Sequence, residues 1–380
     1  MKFSIYKRSL LVLVLVKSCF TGAQTASNTS PTIAIPSEFP ADAIVRAMLD
    51  RRVADKKSIG LIVALINRDG TVRFVSSGKS GQATRMHIDA DTIFEIGSIT
   101  KTFTGILLAQ MVAAGDVALD GKVRQYAPPQ YKFRETNSAG DITLLQLATH
   151  TSGLPRLPMS IAFASAMALD FDNPYKNYPL EAMWKFVADK KINSSKTYPS
   201  QYSNLGVGLL GDLLAHKAGL SYQALVKQKI LDPLMMLDTA MGDVLLAADV
   251  ASRLAIGHTD KLKPTAYWTF GAMGGAGGLR SSARDMARYI AAQKNGALDD
   301  AVSAQAVRTK VNENMEIGLT WMTIKRHGDE IVWHNGGTGG FRSFAGFSKL
   351  SGLGVVVLSN TAVGVDDIGE HLLNPANKLN

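Results

Sequence analysis

Cysteine is nearly absent from this chain. The single thiol among 380 residues, Cys19, lies in an N-terminal stretch expected to be removed, so the mature chain should carry neither a disulfide nor a thiolate ligand. Histidine offers no substitute. His87, His150, His216, His258, His327 and His371 do not fall at a ligand spacing such as His-Glu-x-x-His, and no motif calls for a metal or a cofactor. Long apolar runs are also missing: Leu10 to Val16 is cut off by Lys17, well short of the about 20 residues a membrane-spanning helix needs. No Lys/Arg run is interleaved with aromatics in the way that tracks a phosphate backbone, which argues against nucleic acid as a partner. Internal repeats and low-complexity blocks are lacking too.

What the chain does have is apolar material, 46% of its residues against 19% charged, enough for a sizeable core and incompatible with disorder. Lys2, Lys7 and Arg8, the apolar run, and the small residues Thr21-Gly22-Ala23 have the three-part layout of a secretory leader, so residues 1–23 are expected to be cleaved and the protein to be periplasmic or secreted. A lipoprotein leader ending at Cys19 is the lesser reading, because Lys17 places a charge where small or apolar residues belong. Of the formal charge of +9, four positive residues would leave with the leader and no acid would.

Residues 24–40 read as a Ser/Thr/Pro-rich tail and Asp42–Arg52 as a helix. Residues 61–66 and 72–77, flanking the turn Asn67–Gly70, predict an antiparallel hairpin. Matching strands are expected near the other end, at 330–334, 341–347 and 353–358. Residues 98–250 read as mostly helical, with the run Leu205–Ala218 stopped by Gly219, and Ser282-Ala-Arg-Asp285 reads as a capping box opening a helix over 283–292. The fold class expected is α/β in the α+β sense. An antiparallel sheet built from residues 41–97 and 251–380 is flanked by helices and carries an inserted helical domain, 98–250.

Three patterns carry chemistry. Ser98 and Lys101 stand three residues apart at the start of an apolar helix, so one helical turn brings the amine beneath the hydroxyl. Serine is a weak nucleophile until a neighbour takes its proton, and a buried lysine can lose enough basicity to do so. Tyr202-Ser-Asn204 offers a phenol to shuttle a proton and an amide to hold a substrate amide. Trp333-His-Asn-Gly-Gly-Thr-Gly-Gly-Phe341 is a strand end running into glycines, which let a ligand approach the backbone and free N–H groups for a developing oxyanion. Singly, these also read as a capped helix with a solvated lysine, a loop before an N-cap, and a tight hairpin.

Their joint order resembles the serine β-lactamase, penicillin-binding-protein and DD-peptidase superfamily, and in particular its class C β-lactamase branch. Further similarity runs through Ile142–Pro155, Asp232–Met236 and Gly277–Met286, and covers nearly everything after about residue 41. The resemblance implies Ser98 as acylated nucleophile, Lys101 as its proton acceptor, Tyr202 as partner base or acid, and Asn204 as a ligand of the substrate amide. The backbone N–H groups of Ser98 and Gly337 would form the oxyanion hole. It also implies a small-molecule β-lactam as substrate, with D-Ala peptides or esters as the alternatives; a monomer is expected.

This chain departs from the class C pattern at its third motif, where His334-Asn335-Gly336 replaces Lys-Thr-Gly. The family's lysine and threonine help bind the substrate carboxylate. A histidine of ordinary pKa, about 6.5, would do so only when protonated, so affinity for anionic substrates is expected to rise between about pH 7.5 and pH 5.5; the alternative is a ring held neutral by burial or serving only as a hydrogen-bond donor to Tyr202 or Ser98, for which anionic and neutral substrates respond alike. Two further family positions, an asparagine and a glutamine, fall near Val365 and Leu157. Arg342, where the family has glycine, is the expected replacement charge. No Glu-x-x-x-Asn element of the class A type is present, which leaves water activation to Tyr202 and Lys101.

Overall fold

The computed structural model describes residues 37–380, apart from 84, 136–137, 194–195, 243–247 and 299. The expected leader, Cys19 and most of the tail lie outside the described residues.

Eleven described strands form two sheets. In chain order they are β1 (Gly60–Ile66), β2 (Val72–Gly78), β3 (Ile93–Glu95), β4 (Ala240–Met241), β5 (Leu279–Ser282), β6 (Thr309–Lys310), β7 (Met315–Ile317), β8 (Met322–Arg326), β9 (Asp329–Gly337), β10 (Arg342–Ser348) and β11 (Gly354–Ser359). The larger sheet has the order β2-β1-β11-β10-β9-β8-β7-β6 and the smaller β3-β5-β4. The predicted hairpin is present, with Val63 opposite Val75. On its other side β1 pairs antiparallel with β11, Leu61 facing Ser359.

Why β1 is apolar without interruption follows from its place. Side chains alternate between faces of a strand, and here Leu61, Val63 and Leu65 enter one core while Ile62, Ala64 and Ile66 enter another. The first core lies under the helices Asp42–Ala54 and Asp366–Leu373, the second under Ala283–Asn295 and the helices beyond it. Both faces are covered, so a strand of unbroken apolar residues is the stable choice. Full burial of each large aliphatic contributes about 1.5–3 kcal/mol.

The helix opened by Ser282 runs to Asn295, where Gly296 adopts the left-handed conformation, three residues past the expected end. Ser282 Oγ accepts from Asp285 N at 3.2 Å, but the box is not reciprocal. Asp285 instead accepts from Asp238 N at 2.8 Å and from the Thr239 hydroxyl at 2.9 Å. Its Oδ2 thus anchors the chain leading into β4, while its Oδ1 accepts from Arg288, one turn on in its own helix, at 3.1 Å.

At the centre runs the helix Thr100–Ala113, buried over almost its whole length. Its hydroxyls are therefore satisfied internally: Thr104 donates to Gly275 O at 2.8 Å and Thr102 accepts from Tyr289 OH at 2.9 Å. The helix start projects towards the end of β9, and the start of the Asn204–Ala218 helix approaches from the side. Among the described residues, no helix is long and apolar enough to cross a membrane.

Candidate active site

Ser98 sits on the single turn Gly97–Ile99 that leads into the central helix. Gly97 has φ +50°, and a Cβ there would stand 2.6 Å from Gly337 N. Only a glycine lets the turn carrying Ser98 lie against the end of β9. Ser343 Oγ, on the neighbouring β10, donates to Ile96 O at 2.8 Å and holds the two segments together. Ser98 and Gly337 thus line one cavity of about 490 Å³, which Tyr202, Asn204, Asn335, Gly336 and Arg342 also reach.

Lys101 lies one turn below, fully buried. Its Nζ is 2.9 Å from Ser98 Oγ and 2.6 Å from Ala276 O. Burial, aided by the charge of Arg156, holds its pKa well below the ordinary lysine value. Among the described residues no carboxylate is paired with it, so the amine loses more by being charged than it gains. A neutral amine can accept the Ser98 proton while donating to Ala276 O.

Tyr202 moves the other way. Burial pushes its phenol well above the usual tyrosine value, against the opposing effect of a hydrogen bond with Ser98. Lys101 Nζ lies 4.7 Å from its ring centroid and Arg156 Cζ 5.0 Å. His150 stacks obliquely at 4.7 Å. Its Nδ1 accepts from Ser203 N at 3.2 Å, and its own pKa falls well below the histidine value, chiefly through burial. Neutral and wedged, His150 positions the tyrosine; among the sequence motifs it had been weighed only as a metal ligand.

Asn204 Nδ2 donates to Tyr175 OH at 3.1 Å. Its Oδ1 is buried and finds no donor among the described residues. A buried amide oxygen left unmatched costs about 1–3 kcal/mol, which an incoming N–H would relieve.

For His334 the packing favours the neutral of the two alternatives. Its ring is buried behind the cavity wall, not on it, with Nδ1 2.6 Å from Asn335 O and its centroid 6.3 Å from that of Tyr202. Burial, reinforced by Lys101, lowers its pKa to about 3. Burial thus opposes a gain of positive charge on acidification. KM for an anionic β-lactam and for a neutral ester should run parallel between about pH 5.5 and pH 7.5, unchanged in shape by His334→Asn. Steady-state pH profiles check this, and a divergence of the two curves that His334→Asn abolishes would restore the charged histidine.

Positive charge enters the cavity elsewhere. Arg342 faces it, its Nη1 donating to Thr338 O at 2.7 Å and Phe341 O at 2.8 Å. Asp366 lies nearby; its carboxyl is raised by burial, against a hydrogen bond from Asn335. Arg156, exposed at the rim, was not anticipated, since nothing in its sequence surroundings marks it. Nor was the aromatic wall of Tyr175, Trp268 and Phe270, with Tyr175 and Phe270 stacked at 4.8 Å. Behind that wall Glu95 is buried and accepts from Trp268 N at 2.6 Å, with Arg280 Nη2 at 3.5 Å. Desolvation raises its pKa to about 7 in spite of Arg280. Standing three residues before Ser98, at the end of β3, it ties the wall to the strand that leads into the serine's turn.

The family model described as Beta-lactamase matches residues 45–375. The D-alanyl-D-alanine-carboxypeptidase/endopeptidase AmpH of Escherichia coli K12 is 28% identical over 95% of this chain and 96% of its own length. A beta-lactamase of Pseudomonas fluorescens is 25% identical over 83% and 92%. Among solved structures, a beta-lactamase/D-alanine carboxypeptidase from Pseudomonas syringae superposes with a TM-score of 0.74 at 22% identity, covering 87% of this chain and 98% of that one. A class C beta-lactamase from Rhodobacter sphaeroides gives 0.72 at 22%, covering 87% and 96%. The antiparallel sheet flanked by helices is the fold these structures share with this chain.

Proposed function

The chain belongs to the Beta-lactamase family, and from that premise we propose that it is a serine hydrolase that opens β-lactam rings through an acyl-enzyme on Ser98. The observation that carries this reading is the Ser98–Lys101 contact at 2.9 Å, made by a fully buried lysine. Ser98 Oγ attacks the ring carbonyl as its proton passes to Lys101 Nζ. The carbonyl oxygen, now anionic, accepts from the N–H groups of Ser98 and Gly337. As the ring C–N bond breaks, the departing nitrogen takes a proton from Tyr202, whose raised pKa keeps the phenol protonated, and Lys101 restores it. Water attacks the ester by the reverse relay and releases the ring-opened acid. Two groups with pKa values displaced in opposite directions divide the roles of base and acid.

Asn204 Oδ1 accepts an amide N–H of the substrate, and Arg342 attracts its carboxylate. The leader read from the sequence supports action in the periplasm or outside the cell.

A second reading, DD-carboxypeptidase or endopeptidase action on peptidoglycan peptides, is supported by the likeness to AmpH over nearly the full length of both chains. Purified protein is to be assayed with a chromogenic cephalosporin, a D-Ala-D-Ala peptide and a p-nitrophenyl ester. The expected outcome is the highest kcat/KM on the cephalosporin, with no long-lived adduct by intact mass. Faster peptide cleavage with a persistent penicillin adduct would reverse the two readings.

A further inference from the structure

The catalytic cavity holds a carboxylate for which acylation of Ser98 has no use. Asp366, the first residue of the helix Asp366–Leu373, lines the cavity beside Asn335, Gly364 and Arg342, and among the described residues that line it no other is acidic. Peptide dipoles favour a carboxylate at a helix start, but the next residue already serves that end. Asp367 pairs with Arg52 Nη1 at 2.7 Å and accepts from Asn380 N at 3.0 Å. Asp366 instead faces the cavity.

Its charge is poorly matched there. Asp366 Oδ1 is buried and has no partner among the described residues. Arg342 and Asp366 feel each other's charge, yet no hydrogen bond joins them. The guanidinium is turned to the backbone, its Nη1 given to Thr338 O and Phe341 O, and it stands against the end of β9, where a Cβ at Gly337 would lie 3.0 Å from Nη1. Burial and the neighbouring charge of Asp367 both work against ionisation of Asp366, and Asn335 and Arg342 offset them only in part. A carboxylate so placed is stabilised by any cation brought beside it. Arg156, the remaining charged residue of the lining, is exposed at the rim, where water and salt screen it.

We propose that Asp366 determines specificity by receiving a cationic group of the substrate while Arg342 receives its carboxylate, so that zwitterionic β-lactams are favoured over purely anionic ones. The proposal rests on the β-lactam reading of the site and on acylation of Ser98 as described above, and leaves that step unchanged. A substrate whose only charge is a carboxylate meets attraction from Arg342 and repulsion from Asp366 in the same space. One that carries a cation a few bonds from its carboxylate satisfies both, and the repulsive element is what separates the two classes.

The test compares two cephalosporins with the same thienylacetyl side chain: cephalothin, an anion, and cephaloridine, made zwitterionic by its pyridinium group. Their kcat/KM values are measured at neutral pH for the wild type, Asp366→Asn and Asp366→Glu. Because the two compounds also differ in reactivity, the quantity read is the cephaloridine-to-cephalothin ratio of each enzyme. It should be about three- to fivefold higher in the wild type than in Asp366→Asn, the scale of a partly exposed charge pair. The change should lie mainly in KM, with the asparagine variant slower on cephaloridine and faster on cephalothin, and Asp366→Glu should keep part of the preference. Added salt should shrink the wild-type ratio, a readout that needs no variant to fold. Equal changes on both substrates in Asp366→Asn would mean that Asp366 only trims the charge of Arg342 or supports its helix. That result, or a wild-type ratio indifferent to salt, overturns the proposal while acylation of Ser98 stands. Failure of both compounds to be hydrolysed or to label Ser98, followed by intact mass, would remove the acyl-enzyme reading and the proposal with it.

Discussion

Ser98→Ala should lose all covalent labelling by penicillin and show kcat lower by about 10⁴-fold or more, the scale on which removal of a nucleophile acts. The loss is chemical and not structural. Ser98 is half-buried, its neighbours Ile96 and Ile99 are fully buried, and alanine suits the start of a helix turn, so the melting temperature should stay close to that of the wild type. Removing Oγ deletes the hydroxyl proposed to become the acyl ester while Gly337 and the aromatic wall remain. Substrate binding should therefore persist, as a KM or an inhibition constant near the wild-type value. Intact-mass spectrometry after incubation with a penicillin is the direct measurement. An adduct retained in the variant would place the nucleophile elsewhere.

Lys101→Ala should lower kcat by about 10²–10⁴-fold, the range for loss of a positioned proton carrier, and it carries a second signature in stability. A lysine in the unfolded chain titrates near about 10.4, whereas in the folded protein burial holds Lys101 well below that. Between the two values the unfolded chain binds more protons, so stability rises with pH across that window. Below the folded value both states are charged and the folded one bears the whole cost of burying the ion. The alanine variant lacks this titration. Wild type minus variant, the difference in melting temperature should therefore shift in favour of the wild type as pH climbs from the lowered folded value towards about 10. Parallel melting curves at all pH values would mean that Lys101 titrates normally, and the amine would then not be the base.

Much of this was legible beforehand because local rules and tertiary demands coincide. The hairpin of β1 and β2, the strand ends near 330–358 and the Gly219 stop each follow from a short-range pattern that the fold also needs. Strands β6, β7 and β8 were not read. They have two to five residues each, and their polar edge positions leave no alternation long enough to register. Ser98 and Lys101 were visible as a pair because three positions in sequence are one helical turn in space. Tyr175, Trp268 and Phe270 come together from segments about a hundred positions apart, and no one-dimensional signal joins them. His334 shows a different limit: the residue type was correct but its charge depends on burial, which only the packing of Tyr202 and Lys101 around it decides. Glu95 is the converse case, a carboxylate beside the nucleophile whose use as an internal brace required sight of Trp268 and Arg280.

The pairing of β1 with β11 bears on how the molecule is made. A ribosome delivers Leu61 long before its partner Ser359, so for most of translation one edge of β1 has only solvent or another chain to bond with. An unpaired apolar strand edge is a template for aggregation. The main sheet can close only when nearly the whole polypeptide is free, and a chain ending short of Gly354 would present that edge permanently. Folding here is a late, whole-chain event, and truncations at the C-terminus should yield insoluble protein where losses of similar length from the tail before Asp42 do not.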